Sequence, residues 1–479
     1  MNLERVIAAL APTAVVGCAP AEISDLAFDA RSVQPGALFF CVPGSKADGH
    51  DFAPEAVANG ALALVVEREL PVDAAQIIVP NVRQAMPVAA DLFFGEPTRD
   101  LEVVGITGTS GKTTTSYLLW SILEAAGRRP GLIGSIERRV GAAVRPPSLN
   151  APEAIDLQRL FRDMLSEGNR SCVLEATSHA SAQGRLERTR FAALVFTNVS
   201  QDHLDFHVTL ERYFEAKRRL FAPGVPAAVN VGDAHGRRLA DELRRAAGSE
   251  VLTFGFRANA ELRAEDLELT QSGASFRTAG FEVRTRLRGR FNVENALAAI
   301  AGARLLGVDE ESIVRGIEAV EGVPGRFESV DEGQPFTVLV DYSHKPAALE
   351  SVLTTARELT TGRLICVFGC GGDRDRGKRP VMGRIAAELA DVAIVTSDNP
   401  RNEDPEEIID DVLAGAPDLE VEVDRREAIA RAISIARAGD VVLIAGKGHE
   451  QGQEFQDRTL PFDDREVARD ALRRLGAPA

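Results

Sequence analysis

The segment that most constrains the fold of this chain is a glycine-rich loop between an apolar run and a helix. Residues 103–106 predict a buried strand, and a helix is predicted from about Lys112. Glycines between them let backbone N–H groups face a phosphate, and the start of the helix adds partial positive charge. Lys112 would reach the outer phosphates of a nucleotide, and Thr113 would offer its hydroxyl to Mg²⁺. The candidate nucleotide-binding residues in this loop are Gly108, Thr109, Ser110, Gly111, Lys112, Thr113 and Thr114.

The spacing of this loop is shorter than in the usual Walker A motif. The residue five positions before Gly111 is Ile106 rather than glycine. An ordinary glycine turn is the alternative interpretation, but the position between a strand and a helix favours nucleotide binding.

Alternating short apolar runs and helical segments predict an α/β protein with mainly parallel sheets. At roughly 150 residues per domain, the 479 residues suggest about three domains. We expect a small α/β unit at 1–100, a central ATP-binding domain with a P-loop-type, mainly parallel sheet at 101–330, and a Rossmann-like domain at 331–479. An antiparallel extension of the central sheet is predicted within 250–288. The clefts between such domains are common ligand sites.

Charge and cysteine content argue against several kinds of partner and location. Lys and Arg number 55 against 71 Asp and Glu, so the net charge is −16, and neither nucleic acid nor an anionic membrane is expected as a partner. The five cysteines form no CxxC pair, and their odd number suits reduced thiols in the cytoplasm. Residues 6–18 end like a lipoprotein signal, but Glu4 and Pro12 favour a first helix and strand there.

Two further side chains, which follow predicted strands of the central domain, are candidate ligands of a metal ion. Glu175 follows the strand at 172–174, and His203 follows the strand at 193–196. Ligands bind at the carboxyl ends of strands in α/β sheets, and Mg²⁺ prefers oxygen donors such as the Glu175 carboxylate. A hydrogen-bonded structural histidine is the alternative for His203. Beside the nucleotide loop, we favour a metal site containing Thr113, Glu175 and His203.

The shortened loop resembles that of the Mur ligases, which build the peptide of bacterial cell-wall precursors, and of the related folylpolyglutamate synthases. The resemblance extends through nearly the whole chain. Residues 214–217 (Phe-Glu-Ala-Lys) resemble the family segment whose lysine is carboxylated by CO₂, so Lys217 would help to hold a second Mg²⁺. From the residues alone, Lys217 is predicted to be a surface lysine on a helix.

The resemblance also implies where the UDP-linked peptide substrate binds. The first domain would bind the UDP moiety, although Ala30 replaces the family's serine there. Asn150 and Ala151 stand where the family has two threonines. The implied substrate-binding residues of the central domain are Asn150, Ala151, Thr177, Gln183 and Arg185.

Residues between the central and third domains resemble the family segments that surround ATP. Asn292 and Asn295 match the adenine-side motif, with helix caps as the alternative for each asparagine. Arg326, Asp341 and His344 match segments that close over the nucleotide from the third domain, although Lys345 and Ala347 replace more usual residues.

Three glycine-containing segments of the third domain resemble the amino-acid site of the Mur ligases that add meso-diaminopimelate. By composition alone, residues 369–380 could equally be a second phosphate site. Arg401 presents a planar fork of donors for a second carboxylate, and lysine-adding relatives lack that arginine. The alternatives for Arg401 are a helix cap or an ion pair with Glu403 or Asp404. The implied amino-acid-binding residues are Arg374, Asp398, Asn399, Pro400, Arg401, Gly446 and Glu450.

The resemblance implies a ligase that phosphorylates the D-glutamyl carboxylate of UDP-N-acetylmuramoyl-L-alanyl-D-glutamate and joins it to meso-diaminopimelate. Lys112, Lys217 and His344 would be the catalytic residues, and ATP and Mg²⁺ the cofactors. We expect a cytoplasmic monomer. Two alternatives are a ligase for lysine or another amino acid, and a nucleotide-binding regulator that has lost catalysis.

Overall fold

Three large sheets, each flanked by helices, organise the computed structural model of this chain. The structure describes residues 1–18, 20–44, 47–147, 151–246 and 248–476. Asn150, one of the predicted substrate-binding residues, lies outside the described residues. Within those ranges, no helix is both long enough and apolar enough to span a membrane.

The first sheet has five strands in the order β1-β5-β4-β3-β2, all parallel except for β1. The predicted first helix and strand are both present, and Asn2 caps the helix. Short 3₁₀ turns occur at Ala30–Ser32, Gly49–Phe52 and Pro97–Arg99. The elements are α1 (Leu3–Leu10), β1 (Ala14–Val16), β2 (Asp25–Ala27), β3 (Ala37–Phe40), α2 (Ala53–Ala58), β4 (Ala63–Val66), β5 (Ala75–Ile78) and α3 (Val82–Phe93).

The central sheet has eight strands in the order β13-β12-β11-β6-β10-β7-β8-β9. Its strands are parallel from β13 to β7, and β8 and β9 add an antiparallel edge. The elements are β6 (Glu102–Thr107), α4 (Lys112–Ala125), β7 (Pro130–Ile133), β8 (Arg138–Val140), β9 (Ala143–Arg145), α5 (Ala154–Ser166), β10 (Ser171–Glu175), α6 (Ser178–Ala182), β11 (Phe191–Phe196), α7 (Leu204–His207), α8 (Leu210–Arg218), β12 (Ala227–Asn230), α9 (Ala234–Arg245) and β13 (Val251–Phe254).

The segment predicted as an antiparallel extension contains one parallel strand and a separate antiparallel sheet. β13 joins the parallel sheet beside β12, whereas the next three strands form a separate antiparallel sheet. The prediction was therefore wrong for β13, because an apolar four-residue strand carries no signal for its direction. The elements that follow β13 are β14 (Glu265–Thr270), β15 (Gly273–Thr278), β16 (Phe281–Thr285), α10 (Arg290–Leu305) and α11 (Glu310–Glu318).

The third sheet has six strands in the order β17-β18-β22-β19-β20-β21, parallel except for β17. It begins at Glu328, slightly before the predicted boundary. A small hairpin, β23 and β24, follows the last parallel strand. The elements are β17 (Glu328–Val330), β18 (Thr337–Asp341), α12 (Pro346–Leu359), β19 (Leu364–Cys370), α13 (Lys378–Leu389), β20 (Val392–Ser397), α14 (Pro405–Leu413), β21 (Glu420–Val421), α15 (Arg425–Ile435), β22 (Val441–Ala445), β23 (Gly452–Glu454), β24 (Thr459–Pro461) and α16 (Asp464–Gly476).

Helix α4 is held firmly beneath the glycine-rich loop. It begins at Lys112, as predicted, and packs between the central sheet, α10 and α11. Leu118, Leu119, Ile122 and Leu123 are fully buried, and each such side chain stabilises the fold by about 1.5–3 kcal/mol. This packing fixes the start of α4, and with it the loop, at the carboxyl end of β6.

Candidate active site

Two glycines of the loop occupy positions where a side chain would collide with its surroundings. Gly108 has φ +153, and a Cβ there would lie 1.9 Å from Thr197 Oγ1. Gly111 has φ +85, and a Cβ there would lie 2.3 Å from Asn295 Oδ1. The loop therefore depends on glycine at both positions, and its backbone lies directly against β11 and α10.

Side chains that follow β11, together with one from α8, hold the loop in place. The Ser110 N–H donates to Asn198 Oδ1 at 2.9 Å, and Thr197 Oγ1 donates to Ser110 O at 2.7 Å. Thr109 is buried and shares a 3.2 Å hydrogen bond with the Tyr213 hydroxyl. Thr114, on the first turn of α4, is also buried. The loop is thus shaped by contacts within the protein before any ligand binds.

The Lys112 side chain folds back over the same loop. Its Nζ donates to Gly108 O at 3.0 Å and to Thr109 O at 2.9 Å. Burial, together with the nearby Lys345 cation, lowers the pKa of Lys112 to about 8. The ammonium therefore lies at the mouth of the loop, held by backbone carbonyls.

Glu175, the last residue of β10, lies beside Thr113 in the first turn of α4. Thr113 Oγ1 donates to Glu175 Oε2 at 3.2 Å, and the Ser135 N–H donates to Glu175 Oε1 at 2.9 Å. Glu175 is only 2% exposed, yet within the described part of the chain no cationic side chain forms an ion pair with it. A buried carboxylate beside hydroxyl groups, lacking a protein cation, is a donor set that suits Mg²⁺.

Lys217 is fully buried, which corrects the prediction of a surface lysine. Helix α8 turns it inward, and its Nζ donates to Gly108 O at 2.8 Å and lies 4.3 Å from the centre of the Tyr213 ring. Burial and the Lys112 cation hold the pKa of Lys217 well below its ordinary value, so its amine is readily neutral. The residues around Lys217 in α8 did not predict its burial, because its contact with Gly108 joins residues 109 positions apart.

His203 lies on the same side of the loop as Lys217. Its Nε2 is 3.0 Å from Asp202 Oδ2, and its ring centre is 6.1 Å from that of Tyr213. Burial lowers the pKa of His203 to about 3, so the imidazole is neutral and has the form required of a metal ligand. Across the described ranges, no three His, Cys, Asp or Glu side chains cluster to hold a metal alone. Any metal here would need further oxygen donors from phosphate or water.

The segment that leads into the third sheet reaches the loop through Arg326. Its Nη2 donates to Thr113 Oγ1 at 3.2 Å, and its guanidinium lies 4.4 Å from the Tyr342 ring centre. Its buried Nη1 has no hydrogen-bond partner among the described residues. Asp341 accepts from the Phe327 N–H at 2.7 Å, which fixes the segment that carries Arg326. Arg326 thus holds, beside Thr113 and Tyr342, a buried donor that has no partner within the described ranges.

A lysine that the sequence analysis treated as a departure forms an ion pair between domains. Lys345 Nζ bonds to Asp202 Oδ2, the same carboxylate oxygen that contacts His203. The adjacent His344 is hydrogen-bonded through Nδ1 to Tyr342 O at 2.7 Å, and burial keeps the pKa of its imidazole well below the ordinary value. The two residues therefore bring neutral and cationic nitrogen groups to the domain junction. The sequence feature that could have indicated a role for Lys345 is its position directly after His344.

Asn292 and Asn295 lie within α10 and are not helix caps, so that alternative was wrong. Asn292 Nδ2 donates to Arg288 O at 2.8 Å, and Asn295 Nδ2 donates to Asn292 Oδ1 at 3.0 Å. Because Asn295 also lies against Gly111, the pair borders the loop from the side of α10.

The predicted peptide-binding residues lie around α6. Thr177 caps α6 through its hydroxyl, and Gln183 ends the helix with a buried Oε1 that lacks a partner among the described residues. Arg185 pairs with Glu153 at 2.9 Å and donates to Ala151 O at 3.1 Å. Arg185 is therefore already engaged by a carboxylate, rather than free as a clamp.

Asn399 is the centre of the predicted amino-acid site. Its Nδ2 donates to Glu450 Oε2 at 2.9 Å, and its Oδ1 accepts from Lys447 Nζ at 2.7 Å. Lys447 also lies 3.2 Å from Glu450 Oε2. Arg374 is exposed and donates to Asp373 O, a contact that fixes no site geometry. The structure thus brings Asn399 and Glu450 together and leaves Arg374 at the edge.

Arg401 pairs with a residue that local sequence did not suggest. Its Nε lies 2.7 Å from Glu454 Oε2, and its Nη1 donates to Gly372 O at 2.9 Å. The alternative pairing with Glu403 was wrong, because Glu403 is taken by Arg379 and Arg376. Arg401 is therefore at the junction of the segments that carry Gly372 and Glu454.

A buried ion pair supports the strand ends that carry this site. Arg425 and Asp464 are both fully buried, and their side chains pair at 2.8 Å. Arg425 Nη2 also donates to Ala445 O at 3.0 Å, at the end of β22, where Gly446 follows. Asp398 Oδ2, 4.0 Å from Arg425 Nη1, is buried without a hydrogen-bond partner within the described ranges. Arg425 therefore links the strand ends that present Asp398 and Gly446.

Replacing Arg425 with Met is expected to destabilise the third domain by about 3–5 kcal/mol, because Asp464 would stay buried without its cation. Arg431→Met, on the same helix, is the control, since its ion pair with Glu420 is exposed and worth at most about 1 kcal/mol. Urea unfolding followed by circular dichroism measures both. Equal stability losses for the two variants would contradict the structural role given to Arg425.

Three profiles of one protein family match the chain. The Mur ligase middle domain matches residues 106–303. The Mur ligase, glutamate ligase domain matches residues 325–448, and the Mur ligase family, catalytic domain matches residues 22–92.

Individual proteins match over nearly the whole chain. The UDP-N-acetylmuramoyl-L-alanyl-D-glutamate--2,6-diaminopimelate ligase of Solibacter usitatus is 47% identical over 473 residues, which cover 96% of this chain and 95% of that protein. The ligase of the same name from Bacillus cereus is 42% identical, with 98% of each chain covered. A solved structure of a ligase with that name is 35% identical, with a TM-score of 0.68, and covers 95% of this chain and 96% of that one.

The three α/β domains, the glycine-rich loop and these matches together define an ATP-dependent ligase. The chain belongs to the Mur ligase family.

Proposed function

We propose that this ligase joins meso-diaminopimelate to UDP-N-acetylmuramoyl-L-alanyl-D-glutamate, with ATP as the energy source and Mg²⁺ as the metal. The names of the relatives at 42–47% identity support this choice. The observation that carries it is the position of Arg401 beside the group formed by Asn399 and Glu450. An arginine, an amide and a carboxylate are the groups needed to bind an amino acid that has a second carboxylate and a second ammonium.

In the first proposed step, the D-glutamyl carboxylate oxygen attacks the γ-phosphorus of ATP, and ADP leaves. The loop N–H groups and the Lys112 ammonium would bind the transferred phosphoryl group, as Lys112 exchanges its carbonyl partners for phosphate oxygens. Arg326, which donates through Nη2 to Thr113, has a second donor without a partner in the described part of the chain and would be available to a phosphate oxygen. Because Arg326 lies at the boundary with the third domain, closure of the domains would complete the site.

In the second step, the amine of diaminopimelate attacks the acyl phosphate carbon, giving a tetrahedral intermediate. Collapse of the intermediate forms the amide bond and expels inorganic phosphate, while the attacking nitrogen loses a proton. His344 has Nδ1 engaged by Tyr342 O, which leaves Nε2 as an acceptor at the domain junction. The protein contributes mainly positioning and charge stabilisation.

Thr113, Glu175 and His203 would hold Mg²⁺ beside the phosphates, and carboxylated Lys217 would help to hold a second ion. When bound, Mg²⁺ would neutralise phosphate charge that builds up during transfer. The fit rests on the buried Glu175 carboxylate without an ion-pair partner within the described ranges, and on the neutral imidazole of His203.

We expect Lys217 to be carboxylated in the active protein. A buried, readily neutral amine reacts with CO₂ to give a carbamate and a proton, and the new anion would replace a cation beside the phosphates. After equilibration with ¹³C-labelled bicarbonate, the NMR spectrum should contain a carbamate signal that Lys217→Gln lacks. Lys378→Gln, which changes a half-buried lysine, should keep the signal. A fully active wild-type preparation without the signal would contradict this expectation.

Phosphate release with single components omitted tests the proposed function. Release should require ATP, the UDP-linked dipeptide and meso-diaminopimelate together. A nucleotide-binding regulator would release no phosphate in any mixture, although the presence of Lys112, Glu175, His203 and Lys217 argues against one. Release with lysine in place of meso-diaminopimelate would leave the ligase chemistry standing and change the substrate.

A further inference from the structure

The carboxylate of Glu454 already occupies the arginine that we assign to the second carboxylate of the amino acid. Glu454 Oε2 lies 2.7 Å from Arg401 Nε. The Glu454 side chain is 51% exposed, whereas that of Arg401 is 22% exposed. Glu454 is therefore free to rotate into solvent, while Arg401 is held against the protein.

The backbones of the two residues are tied together, so the Glu454 side chain stays within reach of Arg401 even when it rotates. The Arg401 N–H donates to Glu454 O at 3.0 Å, and the Glu454 N–H donates to Asn399 Oδ1 at 3.0 Å. A parallel bridge also joins Arg401 to Phe455. Strand β23 is thereby attached along the loop that carries Asn399 and Arg401, and it presents Glu454 to the guanidinium.

The hydrogen bonds of Arg401 show where a second carboxylate can bind. A guanidinium binds a carboxylate bidentately through Nε and Nη2, or through Nη1 and Nη2. Glu454 takes Nε, and Gly372 O takes Nη1, whereas Nη2 has no hydrogen-bond partner in the described part of the chain. A backbone carbonyl cannot rotate away, but the half-exposed Glu454 can. The Nε–Nη2 side is therefore the one that an incoming carboxylate can take.

We propose that Glu454 is a specificity-determining residue whose carboxylate neutralises Arg401 in the free protein and is displaced by the second carboxylate of the incoming amino acid. This inference rests on the proposed function. When the ligand carboxylate displaces Glu454, Arg401 gains two charge-assisted hydrogen bonds and loses one. The dicarboxylate therefore still binds, but its affinity is lowered by the free energy needed to break the Glu454 ion pair. Lysine has no second carboxylate, so Glu454 would remain paired with Arg401 when lysine binds. The guanidinium would then keep an anionic partner.

Two consequences follow for Glu454→Gln. The KM for meso-diaminopimelate should fall about two- to fivefold, since a partly exposed ion pair no longer has to be broken. The kcat/KM for lysine should not rise, because with lysine bound the Arg401 guanidinium of this variant would have no neutralising carboxylate. The ratio of kcat/KM for meso-diaminopimelate to that for lysine should therefore rise.

The test measures phosphate release against the concentration of each amino acid, with ATP and the UDP-linked dipeptide saturating. Asp457→Asn is the matched control, because its exposed carboxylate on the same hairpin pairs with Arg458 and should leave both KM values unchanged. The KM for ATP should be unaffected in both variants. In an Arg401→Ala background, Glu454→Gln should no longer lower the KM for meso-diaminopimelate, because the guanidinium for which the two carboxylates compete is gone.

An unchanged or higher KM for meso-diaminopimelate in Glu454→Gln would overturn the inference, and a higher value for both amino acids would make Glu454 a ligand for their common ammonium. The proposed function would survive either result, because wild type would still consume meso-diaminopimelate. Failure of wild type to release phosphate with meso-diaminopimelate would overturn both.

Discussion

Lys112→Ala is expected to lower kcat by about 10³-fold or more while the protein stays folded. Removing one preorganised donor from a transition-state charge costs about 10²–10³-fold, and Lys112 would contribute a full positive charge as well. The fold should tolerate the change, because among the described residues the Lys112 side chain donates only to the carbonyls of Gly108 and Thr109. Burial also lowers its pKa to about 8, so its charged form is not what stabilises the folded state.

Phosphate release and thermal unfolding together measure this prediction. Arg219→Ala is the control, because it removes a cation whose ion pair with Glu187 lies on the surface. Near-normal phosphate release by a folded Lys112→Ala protein would refute the assignment of the loop.

Arg401→Ala is expected to lower kcat/KM for meso-diaminopimelate by about 10²-fold, through the loss of two charge-assisted hydrogen bonds worth about 1.5 kcal/mol or more each. The KM for ATP should not change, since Arg401 lies in the third domain beside Asn399 and Gly372, away from the loop. Steady-state kinetics with meso-diaminopimelate and with lysine measure the effect. If both amino acids lost activity equally, Arg401 would be a structural residue and not the partner of the second carboxylate.

The structure also changes the expected size of the selectivity. A site whose buried polar group is left unpaired by an analogue rejects that analogue by roughly 10⁴-fold. Glu454 supplies an anion to Arg401 when the ligand does not. We therefore expect wild type to prefer meso-diaminopimelate over lysine by about 10²-fold, the contribution of the Arg401 hydrogen bonds themselves.

Local pattern was sufficient to predict most of the scaffold. Helix α4 begins at Lys112, and β4 spans Ala63–Val66, because short apolar runs and glycine turns determine such elements within a few residues. Strand direction was harder, and β13 joined the parallel sheet because its neighbour β12 offered a free edge. The sheet partner of an isolated apolar strand depends on distant chain segments.

The contacts that shape the site are long-range, and sequence reasoning found few of them. Lys217 is buried by a contact with Gly108, and Lys345 pairs with Asp202 across 143 positions. The sequence offered Glu403 or Asp404 as alternative partners for Arg401, whereas its partner Glu454 lies 53 positions away. Family resemblance selected Lys217 and Arg401, but only the folded chain shows that one is buried and the other already engaged by a carboxylate.

The most direct measurement of the central claim is the identity of the product made when both amino acids are present. Wild-type protein would be incubated with ATP, Mg²⁺, the UDP-linked dipeptide and equal concentrations of meso-diaminopimelate and lysine, and the products analysed by mass spectrometry. The account predicts a UDP-linked tripeptide whose added residue is almost entirely diaminopimelate, with one phosphate released for each product formed. A product that contains mainly lysine, or ATP consumption without any tripeptide, would contradict it.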